Sequence, residues 1–333
     1  MLRLVAALLL AAVIAAAPWN AAPAAEIKPA IVFDMGGKFD KSFNESVHDG
    51  AEAFTKATGV AVREFEVLNE TQREQALRNF ARRGQNPILA IGFGHASAVK
   101  TVAAEFPALR FVIMDSVVEA PNVQSIVFRE EQGSYLAGML AALRSGTGKI
   151  GFVGGMDVPL IRKFACGYVQ GARAANPKVE VLQNMTGSTP SAWADPVRGA
   201  ELARSQIERG ADVVFHAAGA TGVGVLQAAA DAGKYGIGVD SNQNRLHPGR
   251  VLTSMVKELD VATRTTLDAA RAGTWKPGTL MLGLAEGGVG LAFDNDNAPA
   301  VTAEMRGKVD AARAGIVAGQ VTVHDYTSDN ACP

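Results

Sequence analysis

The sequence predicts an α/β fold of two doubly wound parallel-sheet lobes joined by a hinge. Three observations predict it. Strand-length apolar runs alternate with amphipathic helical stretches from Ala30 to Val256, and repeated βα units of this kind make parallel sheets with helices on both faces. The series restarts near Lys149, so it has the length of two domains. After Val256 too few strands remain for a third lobe, so the last segments are expected to complete the first two.

The elements follow in order. Ala30 to Phe33 is apolar and partly β-branched, a buried strand. Gly36 and Gly37 end it, and Ser42 or Asn44 is expected to cap a helix whose apolar face is Val47, Ala51 and Phe54. Strands are expected at Val60–Val67, Pro87–Ile91, Arg110–Asp115 and Val123–Val127. Between them lie helices carrying Leu77, Phe80 and Ala81, then Val99, Val102, Ala103 and Phe106. A helix from Gly133 to Arg144 closes the first series. In the second, strands at Lys149–Val153, Val179–Gln183, Asp212–Phe215 and Gly236–Val239 alternate with helices at Pro159–Ala175, Pro196–Arg209 and Val223–Ala232. Val251–Val256 is a strand, followed by a helix (Val261–Ala272), short strands at Thr279–Leu284 and Gly288–Phe293, and a last helix (Thr302–Ala318). Crossings near Phe128–Gly133 and Ser254–Lys257 make the gap between lobes a hinged cleft, and domain interfaces are favoured ligand sites. The expected division is residues 1–25 as a signal peptide, 26–128 plus 257–276 as lobe I, and 129–256 plus 277–333 as lobe II.

The N-terminus carries a short basic start, an unbroken apolar run from Leu4 to Ala17, and small residues around Ala22 to Ala25. This is the pattern of a secretory signal peptide, too short and wrongly flanked for a membrane span. No cysteine lies near the cleavage site, so no lipid anchor is expected and the location is periplasmic, with a soluble monomer. Net charge is −1 with no basic tract, which argues against nucleic acid and against an anionic membrane surface as partners. Cys166 and Cys332 are the two cysteines. A disulfide and two separate thiols both remain open, because bridge geometry is strict.

Most catalytic chemistry finds no footing. The five histidines are scattered, with no His-x-x-x-His or Cys-x-x-Cys spacing, so no metal is expected. His95 and His216 each follow an apolar strand and read as polar residues at strand ends. No Gly-x-Ser-x-Gly elbow occurs, and no cofactor is expected. Gly92-Phe-Gly94 opens a helix with Asp115 further on, but Ser97 replaces the third glycine of a dinucleotide fingerprint. Gly219-Ala-Thr-Gly-Val-Gly224 lacks the ending of a phosphate-binding loop, and its glycines serve tight packing or ligand approach. By contrast, Asp34, Asp40, Ser42 and Phe43 crowd a loop where a strand's carboxyl end meets a helix start, the place where open α/β sheets bind ligands.

Asp34 with Asp40-Lys-Ser-Phe-Asn44, Phe215-His-Ala-Ala-Gly-Ala-Thr-Gly222, Gly238-Val-Asp-Ser-Asn-Gln243 and Thr253-Ser-Met-Val-Lys257, supported by Gly151-Phe-Val-Gly-Gly155 and Trp193-Ala-Asp195, together resemble the basic membrane protein family of substrate-binding proteins, which includes purine nucleoside receptors of ABC importers. The resemblance runs from about Lys28 to Asp294. It implies a type I periplasmic-binding-protein fold, a purine nucleoside or nucleobase as ligand, and an ABC transporter permease as partner. It also implies roles. Asp34 accepts hydrogen bonds from the base edge, Phe43 stacks on one face of the ring and Phe215 approaches the other. Asp240 and Lys257 bind sugar hydroxyls and can neutralise each other. Met35, Phe93, Ser97 and Gly219 complete the expected set. Each has a plainer rival: Phe43 as a helix staple, Phe215 as sheet core with His216 facing the ligand, Asp240 as a cap, Lys257 as a surface lysine. The chain departs from the family in lacking a lipobox cysteine and in carrying Ser97 where an Asp often helps bind ribose. A flavin-like or other planar heterocycle is the alternative ligand, and a periplasmic nucleoside-processing enzyme the alternative class.

Overall fold

The computed structural model describes residues 26–333, so the expected signal peptide lies outside the described residues. Among those residues no helix is long and apolar enough to cross a membrane. The chain runs β1 (Ala30–Phe33), α1 (Phe43–Thr58), β2 (Arg63–Glu66), α2 (Gln72–Arg82), β3 (Ile88–Ala90), α3 (Ala96–Glu105), β4 (Phe111–Met114), β5 (Val123–Phe128) and α4 (Glu130–Arg144). It continues with β6 (Lys149–Met156), α5 (Pro159–Ala175), β7 (Glu180–Gly187), α6 (Pro196–Glu208), β8 (Val213–Ala217), α7 (Thr221–Asp231), β9 (Tyr235–Asp240) and β10 (Val251–Lys257). Last come α8 (Leu259–Ala272), β11 (Gly278–Leu282), β12 (Val289–Leu291) and α9 (Ala303–Val317).

Two six-stranded sheets form, ordered β11-β5-β4-β3-β1-β2 and β12-β10-β9-β8-β6-β7. Every neighbour pair is parallel except β10–β12. Strands buried on both faces explain the runs without alternation: β1, β3, β4 and β8 have no exposed residue. Strand order reverses between β1 and β3 in the first sheet and between β6 and β8 in the second. These are the switch points at which doubly wound sheets open a crevice outside the strand carboxyl ends, and the two crevices face each other.

The C-terminal region departs from the expected division. β11 pairs with β5 over its full length, Gly278 with Gln124 through Leu282 with Phe128, so a segment assigned to lobe II extends the first sheet. Lys257, assigned to lobe I, is the last residue of β10 and pairs with Val289 in the second sheet. The chain therefore passes between the sheets three times, after β5, β10 and β11. A short edge strand carries no local mark of which sheet it joins, and α8, the helix before β11, packs on the first lobe. That helix packs against α1 so closely that a side chain on Gly50 would meet the Asp260 carbonyl oxygen at 2.3 Å.

The two cysteines are joined, Cys166 to Cys332, with Cα atoms 5.5 Å apart. The bridge ties the C-terminal tail to α5. Arg173 Nη1 adds a hydrogen bond to the Pro333 carbonyl oxygen at 3.0 Å, and Gln170 one to the His324 carbonyl oxygen at 3.0 Å.

A two-sided cleft with a pinned carboxylate

A cleft lies between the two switch points, with about 580 Å³ of space between its walls. The first lobe contributes Asp34, Met35, Phe43, Phe93 and Asp115, and the second Phe164, Trp193, Gly219, Asp240 and Lys257. Seven of the nine residues expected from the sequence are on these walls: Asp34, Met35, Phe43, Phe93, Gly219, Asp240 and Lys257.

Phe215 and Ser97 are not. Phe215 is fully buried in the second sheet, its ring 5.5 Å from Phe152 and 5.2 Å from Tyr168. Alternation along β8 sends Phe215 into the core beneath α5, and only its last residue and the turn that follows, Ala217 to Gly219, reach the cleft. His216 points the other way: its Nε2 lies 2.9 Å from Gln243 Oε1, and a side chain on Gly222 would strike its ring. Ser97 is exposed on α3, one turn past the cleft. The aromatic that closes the second-lobe side is Trp193, whose ring meets Phe93 edge-on across the cleft at 6.4 Å. Gly155 makes room for it, since a Cβ there would lie 2.2 Å from the indole. The glycines at 219 to 224 thus divide: Gly219 forms cleft wall, while Gly222 and Gly224 are packing positions against His216 and the Pro196 carbonyl.

Asp34 follows β1 at the first switch point and is 8% exposed. Its Oδ1 takes the Met35 N–H at 2.8 Å and the Arg73 guanidinium at 2.8 Å (Nη2) and 3.3 Å (Nε). Oδ2 receives no hydrogen bond among the described residues. Gly92 keeps that oxygen clear: its φ is +101°, and a Cβ would sit 2.6 Å from Oδ2.

Ser42 occupies the N-cap position of α1, but neither its side chain nor that of Asn44 caps the helix. The carboxylate of Asp40 accepts the backbone N–H groups of Ser42, Asn44 and Glu45 at 2.8, 3.0 and 3.1 Å, which satisfies the orphan donors of the first turn. Burial nevertheless raises the Asp40 pKa to about 7, with Asp240 across the cleft adding to the effect. Because Asp40 caps the helix, the Ser42 hydroxyl is free to cross to the second lobe, where it donates to Asp240 Oδ2 at 2.6 Å. Ser241 Oγ donates back to the Ser42 carbonyl at 2.8 Å, and Gln243 Nε2 to the Lys41 carbonyl at 2.9 Å. These bonds hold the lobes together along one edge.

Lys257 is not paired with Asp240. Its Nζ lies 2.7 Å from both oxygens of Asp115 and 3.0 Å from Glu130, and 4.7 Å from the centre of the Phe128 ring. Burial disfavours the ammonium, but Asp115, Glu130 and Asp240 outweigh it and hold its pKa above the ordinary lysine value. Burial likewise pushes Asp115 and Asp240 up, against the pull of Lys257. His95 and His216 are driven down to about 4 by burial, so both are neutral at neutral pH. Among the described residues no cluster of His, Cys, Asp or Glu has metal-binding geometry.

Arg73 and Asp115 escaped the sequence reading as site residues. Asp115 follows β4 as Asp34 follows β1, a positional signal that could have found it. Arg73 sits within a helical pattern and carries no such signal.

Residues 27–325 match the family model Bmp, described as ABC transporter substrate-binding protein PnrA-like. The ABC transporter nucleoside-binding protein BmpA of Lactococcus lactis is 32% identical over 321 residues, covering 90% of this chain and 89% of that one. Basic membrane protein A of Borreliella afzelii is 31% identical, with coverage of 89% and 91%. A relative from Pyrococcus furiosus, 33% identical over 80% of this chain and 70% of its own, is described as an uncharacterized lipoprotein. Among solved structures, an ABC transporter solute-binding protein from Aeropyrum pernix superposes with a TM-score of 0.83 at 26% identity, covering 90% of this chain and 94% of that one. A lac repressor dimer (TM-score 0.60, 13% identity, coverage 82% of each chain) shares the fold alone. The chain belongs to the Bmp family of PnrA-like ABC transporter substrate-binding proteins.

Proposed function

We propose that the cleft captures a purine nucleoside or nucleobase and that the protein, exported to the periplasm as a monomer, delivers it to the permease of an ABC importer. The observation that carries the reading is the Asp34 carboxylate, with one oxygen held by Arg73 and the other unbonded among the described residues, standing at a cleft wall beside Phe43 and opposite Trp193. A flat heterocycle with ring N–H groups matches that arrangement. Aromatic faces contribute about 1–3 kcal/mol per stacked base on nucleic-acid platforms. A carboxylate oxygen facing ring donors rejects analogues that lack them. At the other end Asp115, Asp240 and Lys257 offer acceptors and a donor suited to sugar hydroxyls. In this reading Asp115 supplies, from the end of β4, the carboxylate that the turn at Ser97 does not. The nucleoside-binding description of the Lactococcus relative points the same way. Ligand seated on one lobe recruits the other, and the permease reads the closed form.

Isothermal titration calorimetry with adenosine, guanosine, inosine, adenine, guanine and xanthine tests the reading. Heat with at least one is expected, together with loss of affinity in Asp34→Ala and Phe43→Ala. Silence from all six ends the purine assignment.

A further inference from the structure

The turn between β3 and α3 carries two glycines that resembled a cofactor fingerprint, and both have another explanation. A Cβ on Gly92 would lie 2.6 Å from Asp34 Oδ2, and one on Gly94 would lie 2.7 Å from the Arg73 guanidinium. One glycine clears space for the free oxygen and the other for the group that holds its partner. Arg73 comes from α2, is itself buried, and directs both Nε and Nη2 to the same oxygen of Asp34. His95, fully buried, sets Nε2 4.0 Å from that oxygen, too far for a hydrogen bond. The hydrogen bonds to the Asp34 carboxylate among the described residues all fall on Oδ1.

We propose that Arg73 is a positioning residue of the ligand site: by holding Asp34 through Oδ1 it turns the carboxylate so that Oδ2 presents a hydrogen-bond acceptor to the cleft. The site then selects ligands whose buried edge carries an N–H donor. Arg73 is not on the cleft wall; it acts through Asp34. A charge-assisted hydrogen bond fixes the orientation of a carboxylate, and a buried acceptor left without its matching donor is costly. Binding-edge selectivity is the quantity Arg73 controls, more than affinity in general.

The inference rests on the purine reading only for its choice of probes. Titrate the parent chain, Arg73→Met and Arg73→Lys with inosine against 1-methylinosine, and with adenosine against N6,N6-dimethyladenosine; in each pair the second compound has lost a ring-edge donor. The parent is expected to prefer the unmethylated partner by about tenfold or more. In Arg73→Met the preference collapses toward parity, and in Arg73→Lys much of it returns. A folded Arg73→Met variant that keeps the parent's preference overturns the proposal. If Arg73→Met does not fold, Asp34→Asn is compared with the double variant Asp34→Asn/Arg73→Met, which leaves no unpaired charge. Equal selectivity in the two supports the proposal, and a further change in the double variant overturns it. If the parent binds no purine, the reading above fails and carbon-13 NMR of labelled aspartate decides this one. The Asp34 carboxyl signal, identified by its loss in Asp34→Asn, should move in Arg73→Met and stay near its place in Arg73→Lys; an unmoved signal in Arg73→Met overturns the role.

Discussion

Lys257 Nζ, at the end of β10, lies 2.7 Å from each carboxylate oxygen of Asp115, at the end of β4. The pair joins the two sheets, and Glu130, at the start of α4, shares the same ammonium at 3.0 Å. Glu130 in turn contacts the second buried lysine, Lys163, at 3.0 Å. Charges at this depth persist only because each has partners.

Replacing Lys257 by Met leaves Asp115 and Glu130 facing each other without that cation. Breaking one side of a buried pair costs about 3–5 kcal/mol, so a loss of that size is expected in urea unfolding at neutral pH. A loss below about 1 kcal/mol would mean that water reaches the cluster freely.

Asp40 makes stability depend on pH. Its folded pKa, about 7, lies above the ordinary 3.8, so the folded chain holds this proton more tightly than the unfolded one. The contribution is complete below the unfolded value and is lost as pH rises toward and through 7. Asp40→Asn, which keeps a capping oxygen, should therefore gain stability relative to the parent as pH rises through that window and hold the gain above it. Melting curves across the range check this, and a difference independent of pH refutes it.

Trp193, in place of the expected Phe215, lines the second-lobe side of the cleft, and Phe215 is core. Phe215→Ala empties a core site between Phe152 and Tyr168 and should cost about 3–5 kcal/mol of stability. Trp193→Ala should leave the melt close to the parent's while lowering ligand affinity by about tenfold, the loss of one stacking face. Calorimetry and thermal melts on the two variants separate the roles.

The Cys166–Cys332 bridge closes a loop across a sequence separation of 166 residues. The double variant Cys166→Ala/Cys332→Ala should lose about 2–5 kcal/mol, mainly because its unfolded chain is less constrained. Limited proteolysis should then cut the tail after Val323 before the body of the protein. An unchanged denaturation midpoint would contradict this.

Much of the architecture is written locally. Residues Ala30–Phe33 and Val213–Ala217 are strands because their apolar runs demand burial on both faces, and α1 is a helix because Val47, Ala51 and Phe54 share one side. The position of Asp34 directly after a strand marks it as cleft-facing. What lies behind it was not legible: Arg73 is 39 residues away and meets it only when α2 folds back over the first sheet. The same holds for Asp115 and Lys257, 142 residues apart.

The sequence by itself determined the order of elements, the two-lobed α/β class, the resemblance to a substrate-binding family and most of the residues at the strand ends. These follow from side-chain periodicity and turn chemistry, which act over a few residues. The tertiary structure alone decided that Phe215 is core while Trp193 faces the cleft, that β11 joins the first sheet, that Lys257 pairs with Asp115, and that the cysteines are bonded. Those outcomes depend on which distant groups are brought within a few ångströms. A buried charge or an edge strand takes whichever partner the packing delivers, and local pattern holds no record of it.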